Sequence, residues 1–277
     1  MTAPSSVLAS SPCWPYPPAN PPVVSKLNED VRAFWERGPV GTDAGITGGL
    51  PARSPAWFAQ VEQNRYAKEP FIHAVAQFTR HRGEEILEIG VGAGSDHLQW
   101  ARAGCICHGV DLTDAAIETT RAHLALYGLT SDLRRIDAES LPFADASFDV
   151  VWSWGVIHHS ENPERIIAEI HRVLRPGGVF LGMLYNRHSL SVFAEWVKHG
   201  LMAWRPWRSF ADVLWHHFES IGTKAYTTRE LNALLAAFAT REITTYMTPY
   251  DLQHWPRRLV RWFPTHWGMF SAIRAAK

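Results

Sequence analysis

A glycine-rich turn follows the first apolar run of the chain, in the sequence ILEIGVGAGSD at residues 86–96. Three glycines alternate in this turn: Gly90, Gly92 and Gly94. They let the chain turn sharply and let a ligand approach the main chain, and a helix that follows the turn offers free N–H groups. A dinucleotide-binding turn needs a further glycine where Ser95 stands. Glu88, just before the turn, disfavours a pyrophosphate and suits a ligand that carries an ammonium group, so the turn predicts a cofactor of that kind.

Two acids follow the next apolar runs. Asp111 closes the run 105–112, and Asp137 closes the run 133–137. The carboxyl ends of parallel strands form the ligand-binding edge of a sheet, so both carboxylates are candidates for binding the same ligand. Each acid also has a local explanation, because Asp111 could cap the next helix through Thr113 and Asp137 could form a turn.

Four side chains near the ends of the later runs could act on a substrate, as bases or by orienting it: His158, His159, Tyr185 and His188. A neutral imidazole can take a proton from a hydroxyl or an amine, because its ordinary pKa lies near neutral pH. The alternative is that the paired histidines pack in a loop. Other histidines, such as His216 and His217, lack a metal-ligand spacing such as His-Glu-x-x-His, so no metal site is predicted.

The elements that would position these residues are short apolar runs that alternate with helical segments. The runs cover 84–90, 105–112, 133–137, 148–155 and 179–186, and helices begin near Asp96, Asp114 and Pro163. The helix from Pro163 stops at Pro176-Gly177-Gly178. Such alternation predicts an α/β fold, a doubly wound parallel sheet with helices on both faces. Two further runs, 241–247 and 267–275, read as closing strands.

Several blocks occur in an order that resembles class I S-adenosylmethionine-dependent methyltransferases, in the small-molecule, ubiquinone-methyltransferase-like (methyltransferase type 11) branch. They are the glycine turn, GVDLT at 109–113, DAESLPF at 137–143 and the long block 143–180. The resemblance is strong over about 84–186 and weak over the final strands. It implies a Rossmann-like sheet of seven strands with the last strand antiparallel, and S-adenosylmethionine as cofactor with S-adenosylhomocysteine as product.

The resemblance also implies which residues contact the cofactor. The methionine part would lie against Glu88, Gly90, Gly92 and Gly94, with Ser153 and Trp154 beside it; the ribose would bind Asp111 next to Leu112, and the adenine Asp137 and Ala138. Arg65 or Tyr66, which precede the turn, would reach the methionine carboxylate.

The chain outside this core divides into three predicted parts. Residues 1–24 form a proline-rich disordered tail, and 25–82 form an N-terminal helical extension with a glycine-rich loop at 38–49. The methyltransferase domain then covers 83–277 and carries an insertion at 187–225. We expect helices at 26–37 and over 55–82, the latter interrupted near Pro70.

The insertion is rich in tryptophan and cations: Trp196, Lys198, Trp204, Arg205, Trp207, Arg208 and Trp215. This composition fits a lid, a dimer face, a membrane-surface element or an ordinary helical cover. We predict that the insertion and the loop 38–49 together enclose an apolar acceptor.

The composition of the chain limits the classes of partner that it is expected to bind. The 277 residues contain 27 Lys and Arg against 27 Asp and Glu, a formal net charge of +0, which disfavours a phosphate-backbone partner. No apolar run is long enough to span a membrane, and the N-terminus lacks the pattern of a signal peptide. Cys105 and Cys107 are too constrained to pair with each other, which favours a reducing, cytoplasmic setting.

The sequence therefore predicts in-line methyl transfer to a small apolar or aromatic metabolite through an oxygen, nitrogen or carbon acceptor, with a histidine as a candidate base. A homodimer is left open. The alternatives are a nucleic-acid or protein methyltransferase and a non-catalytic protein that binds the cofactor. Amino-methylating DNA enzymes carry Asn/Asp-Pro-Pro-aromatic where this chain has SWGV at 153–156, which disfavours that class.

Overall fold

The structure is a computed structural model that describes residues 25–253, 255 and 262–277; the tail predicted at 1–24 lies outside the described residues. A seven-stranded sheet is the centre of the fold. Its strands are β1 (Glu85–Ile89), β2 (Ile106–Asp111), β3 (Asp132–Arg135), β4 (Phe148–Trp154), β5 (Leu174–Tyr185), β6 (Thr240–Tyr246) and β7 (Phe270–Ala276).

The strand order is β3-β2-β1-β4-β5-β7-β6. The first five strands pair in parallel, and β7 runs antiparallel to both β5 and β6. This confirms the predicted Rossmann-like doubly wound sheet with an antiparallel last strand. The switch in strand order between β1 and β4 is where such sheets bind ligands, at the carboxyl ends of the strands.

Both faces of the sheet are buried, because neighbouring residues along a strand point to opposite faces. In β4, Val151 packs in one cluster with Ile166 and Ile170, whereas Val150 and Trp152 pack in the other. Strand β4 is buried at six of its seven positions, as expected for a central parallel strand covered by helices on both sides.

The helices that cover the sheet are α5 (Ser95–Arg102), α6 (Asp114–Ala125), α7 (Pro163–Val173) and α10 (Thr228–Leu234). Helix α10 begins with a capping box between Thr227 and Glu230. One boundary differs from expectation, because Pro176-Gly177-Gly178 lies inside β5 rather than between helix and strand. The pairing of β4 with β5 shifts register there, so these residues form an irregularity in the strand.

The N-terminal extension consists of α1 (Lys26–Trp35), α2 (Ala44–Thr47), α3 (Pro55–Lys68) and α4 (Ile72–Ala76), followed by a 3₁₀ turn at Phe78–His81. The interruption expected near Pro70 separates α3 from α4. Contrary to expectation, the glycine-rich loop contains the short helix α2, which Gly48 ends in the left-handed region with φ 61°.

The insertion consists of α8 (Leu190–Trp196), a π turn at Val197–Leu201 and α9 (Phe210–His217). Ser189 and Ser209 cap the two helices through their hydroxyls. Between the helices, all residues from 201 to 207 are exposed, with Trp204 at 87% and Trp207 at 78%. A last short helix, α11 (Pro249–Leu252), follows β6. Within the described residues, Cys105 and Cys107 are both free thiols.

Candidate active site

A cavity of about 720 Å³ lies at the carboxyl ends of β1, β2 and β4. Its floor is the glycine turn after β1, and its roof is α1 with the chain that follows as far as Ile46. Most of the predicted cofactor residues line it: Glu88, Gly90, Gly92, Asp111, Leu112, Asp137, Ala138 and Trp154. The sequence motifs therefore meet in one place although they lie on four separate segments.

The glycine turn opens onto the cavity at its middle residue. Gly90 has φ 83°, and a Cβ there would stand 2.1 Å from Cγ2 of Val156, so any larger residue would displace the chain. Gly92 has φ 53°, and a Cβ there would meet nothing within 4 Å. The free space at Gly92 lets a ligand reach the main chain, whereas Gly90 is required by close packing.

Glu88 is buried beneath the turn in a chain of hydrogen bonds. Its Oε2 lies 3.0 Å from Nδ1 of His97, and Nε2 of His97 lies 2.8 Å from the hydroxyl of Ser131. The Ser131 hydroxyl donates its own proton to the carbonyl of Cys107, so it must accept a hydrogen bond from Nε2–H of His97. Nδ1 of the same ring then has no proton and accepts from the carboxyl group of Glu88. Burial raises the pKa of Glu88 well above its ordinary value and lowers that of His97 to about 3. Burial thus favours the neutral form of both groups.

Asp111 stands at the end of β2, where it lines the cavity and also supports the cap of the next helix through Thr113. Its Oδ1 accepts from the backbone N–H and the hydroxyl of Thr113 at 2.9 and 2.8 Å, and its Oδ2 accepts from Gly92 N–H at 3.2 Å. Thr113 in turn caps α6. Burial raises the pKa of the Asp111 carboxyl and these donors oppose the rise, so the carboxylate is held in place beside the glycine turn.

Asp137 binds a residue that sequence analysis did not identify. Its Oδ2 accepts from Nδ2 of Asn28 at 2.9 Å, and the same amide donates to Oε1 of Glu139 at 2.8 Å. The Asn28 oxygen accepts from the backbone N–H of Glu161. Helix α1 is thus attached to the edge of the site by one buried side chain. Nothing in the local sequence marks Asn28, because its partners lie more than 100 positions away.

Arg65 and Tyr66 differ in position. Arg65 lines the cavity and pairs with Asp96 at 2.5 Å and with Glu69 at 3.7 Å. The Tyr66 hydroxyl donates towards Asp96 and the carbonyl of Ser95, and Tyr66 is outside the cavity lining formed by the described residues. Of the two residues, Arg65 is the one placed to meet a ligand.

Two other predicted contacts lie behind the lining. The hydroxyl of Ser153 donates to the carbonyl of Ile89 and is fully buried, and a Cβ at Gly94 would press on Thr120. Both residues support the turn from below. Beside Ser153 in sequence, Trp154 reaches the cavity and donates from Nε1 to Glu69 at 2.6 Å. Burial raises the pKa of Glu69.

The four candidate catalytic residues differ in their position relative to the cavity. His159 lines the cavity, and Nε2 of its ring lies 3.3 Å from Oε2 of Glu219. The Tyr185 hydroxyl donates to the same oxygen at 2.9 Å. His158 is fully buried, and burial holds its pKa well below the ordinary value. His188 is exposed and lies outside the lining that the described residues form, because it belongs to the turn before α8.

The aromatic insertion does not enclose the cavity as predicted. Of the described residues 187–225, Glu219 lines it, whereas the tryptophans of the insertion do not. The apolar wall comes instead from the N-terminal segment through Phe34 and Trp35, and from Trp154 and Tyr250. Sequence analysis missed Glu219 because no spacing links it to the histidines 60 residues earlier.

Comparison with known proteins agrees with this geometry. Residues 87–182 match the family model described as a methyltransferase domain. Within those residues the chain therefore resembles a methyltransferase domain. The matched residues include the glycine turn, Asp111, Asp137 and His159, all of which contribute to the lining of the cavity.

Two groups of curated relatives share this methyltransferase domain. A ubiquinone biosynthesis O-methyltransferase of Maricaulis maris is 38% identical over 130 residues, which is 45% of this chain and 50% of the relative. A phthiotriol/phenolphthiotriol dimycocerosates methyltransferase of Mycobacterium tuberculosis is 39% identical over 124 residues, 44% of this chain and 45% of the relative. The chain thus spans about half the length of the curated relatives it matches.

Solved structures resemble the fold beyond the methyltransferase domain. The [4+2]-cyclase SpnF superposes with a TM-score of 0.60 at 19% identity, covering 94% of this chain and 99% of that one. An S-adenosylmethionine-dependent methyltransferase of Mesorhizobium loti gives a TM-score of 0.55 at 19% identity, covering 75% and 97%. Across the described parts of the chain, no helix is both long and apolar enough to cross a bilayer.

Proposed function

We propose that the protein transfers the methyl group of S-adenosylmethionine to a small apolar or aromatic acceptor held in the same cavity. One observation carries the proposal: the same cavity is lined by the glycine turn, by its two acids and by the aromatic side chains of Phe34, Trp35 and Tyr250. A single cavity lined by both polar and aromatic groups fits two reactants side by side.

The residues at the turn fit the aminoacyl end of this cofactor. The Ser95 hydroxyl is buried, lines the cavity and has no hydrogen-bond partner among the described residues, so it can donate to a carboxylate at the start of α5. Arg65 adds a cation in the same region. Glu88 can bind an ammonium group once its carboxyl gives up the proton that burial favours.

The nucleoside end has matching acceptors. Asp111 and Asp137 already accept hydrogen bonds, but a carboxylate has about four acceptor positions, so both can also bind ribose or base donors. Leu112, Ile136 and Ala138 line the cavity beside them and give an apolar surface for a base. These features support S-adenosylmethionine over a dinucleotide, for which the turn lacks the third glycine.

The protein's share of the chemistry is alignment and exclusion of water. S-adenosylmethionine supplies an electrophilic methyl group on a sulfonium. The aromatic wall positions the acceptor, and holding two reactants in line can contribute about 7–11 kcal/mol. Aromatic faces also tolerate the sulfonium charge. Glu219 presents a carboxylate to the cavity, with 33% of its side chain exposed, and so favours an acceptor that donates a hydrogen bond, a hydroxyl or an amine.

Calorimetry tests the cofactor half of the proposal. We expect S-adenosylhomocysteine to bind the purified chain and NAD to give no heat. Asp111→Asn should weaken S-adenosylhomocysteine about tenfold, because one charge-assisted acceptor is lost. The matched control is Asp114→Asn, an exposed acid at the start of α6 that pairs with Arg135. Binding of NAD, or equal loss in both variants, would contradict the assignment of the site.

Transfer of labelled methyl groups tests the catalytic half. A panel of small aromatic and apolar hydroxy and amino compounds is incubated with labelled S-adenosylmethionine, and label is sought in the organic phase. The chain could bind the cofactor and yet transfer no label to these compounds, to protein or to nucleic acid. That result would favour a reaction other than methylation; one structural neighbour is a [4+2]-cyclase.

A further inference from the structure

We propose that His158, His159 and Glu219 bind one divalent transition-metal cation at the wall of the cavity. One ligand atom of each residue lies within 4.8 Å of those of the other two. Two imidazoles and a carboxylate are a donor set used by Zn²⁺ and by other borderline cations, and three protein ligands leave a position free for a further ligand. His159 and Glu219 line the cavity, so that position is reached from the acceptor compartment.

His158 provides the first independent support. Its ring is fully buried, and neither Nδ1 nor Nε2 has a hydrogen-bond partner among the described residues. The ring packs against Tyr185 and His159, with centroids 3.8 and 4.4 Å away. A buried polar atom without a partner costs about 1–3 kcal/mol, and a bound cation would satisfy one of the two nitrogens.

The surroundings of His159 provide the second. The hydroxyl of Thr223 donates to the carbonyl of Ser220 at 2.7 Å, so its oxygen accepts from Nδ1–H of His159 at 3.1 Å. Nε2 then carries a lone pair, and it faces Glu219 Oε2 at 3.3 Å. Two electron-rich atoms at this distance need a proton or a cation between them. Metal-ligating histidines commonly donate their other N–H in this way.

Glu219 is oriented by a partner that leaves one oxygen available. The Tyr185 hydroxyl donates to one lone pair of Oε2 at 2.9 Å, which leaves the second lone pair of Oε2 for the cation and Oε1 for a substrate. The ammonium group of Lys224 is a positive charge near this site and opposes the binding of a cation. It is half-buried and donates to the carbonyls of Ser160 and Gly222. The buried acid Glu69 lies close enough to interact with Glu219 and offsets that positive potential.

The cation would select the acceptor, a step that rests on the proposed function. A hydroxyl bound to a divalent cation loses its proton more readily, and the proton passes to solvent. The resulting oxygen anion attacks the methyl carbon. The C–O bond forms as the C–S bond breaks, and the electron pair stays on sulfur, which becomes a thioether. The site therefore favours oxygen acceptors over carbon acceptors.

The experiment titrates the metal-stripped full chain with Co²⁺, followed by its visible absorption, and then displaces Co²⁺ with Zn²⁺. We expect one equivalent to bind, and Glu219→Gln or His159→Gln to weaken binding about 100-fold. His217→Gln is the control, because the rings of His199 and His217 stack on the surface 4.0 Å apart and could bind metal adventitiously. Mg²⁺, which prefers oxygen ligands, should not compete.

Binding of S-adenosylhomocysteine to the same samples separates the outcomes. Glu219→Gln should bind it normally, which shows that the variant is folded and that the metal site is distinct from the nucleoside site. Loss of Co²⁺ binding in His217→Gln, or unchanged binding in Glu219→Gln, would overturn the proposal. No Co²⁺ binding at all would also overturn it, and would mean that Ser220 donates to Nδ1 and that Nε2–H simply donates to Glu219. If Co²⁺ binds as expected but S-adenosylhomocysteine does not bind, the result would count against the proposed function instead.

Discussion

The N-terminal segment 26–47 and the insertion 187–225 are both additions to the sheet core, and both carry large aromatic side chains, but these side chains relate to the cavity in opposite ways. Phe34 and Trp35 of the first segment line the cavity, whereas Trp204 and Trp207 of the second are among the most exposed residues. The difference comes from polar anchoring, because Asn28 and Glu36 attach α1 to the binding edge of the sheet. Aromatic content alone therefore does not identify the wall of a site.

The largest effect is expected from removing the aromatic wall. In Phe34→Ala/Trp35→Ala, the acceptor loses two apolar surfaces, and we expect kcat/KM for methyl transfer to fall about 100-fold. The affinity for S-adenosylhomocysteine should change much less, because its polar contacts lie on the turn and the strand ends. Initial rates and calorimetry on the same preparation measure the two quantities. Equal losses in both would mean that α1 supports the nucleoside rather than the acceptor.

A smaller effect is expected from releasing the anchor. Asn28→Ala removes the amide that bridges Asp137 and Glu139, and we expect S-adenosylhomocysteine to bind about tenfold more weakly. Glu139 keeps its bonds from Ser160 and Asn162, so the loop itself should stay ordered. Glu29→Ala, an exposed neighbour on the same helix, is the control and should bind normally.

The smallest effect is expected on the exposed side of the insertion. Trp204→Ala/Trp207→Ala should leave S-adenosylhomocysteine affinity and methyl transfer within about twofold of the original chain, since surface substitutions away from a site rarely matter. A clear loss of transfer would restore the insertion as a lid and remove the contrast between the two segments.

The sequence predicted those site residues that a local sequence pattern marks. Glu88, Asp111 and Asp137 could be placed because a strand end followed by a turn is a local signal, and parallel strands bring those ends together. Glu219 and Asn28 could not, since each acts through partners far away in sequence. Among the described residues of the insertion, Glu219 alone lines the cavity, which the aromatic composition did not indicate. Amphipathic composition predicts that a segment is partly buried, but not which face of the core it meets.

The attachment of α1 has a kinetic consequence. Its first turn is bound through Asn28, and just past its end Glu36 accepts from the N–H groups of Asp114 and Ala115 at the start of α6. The helix is thereby fastened at both ends across the mouth of the nucleoside site. Under the proposed function, we expect this roof to undock when the nucleoside enters and leaves, so that departure of the spent nucleoside, rather than the chemical step, limits turnover.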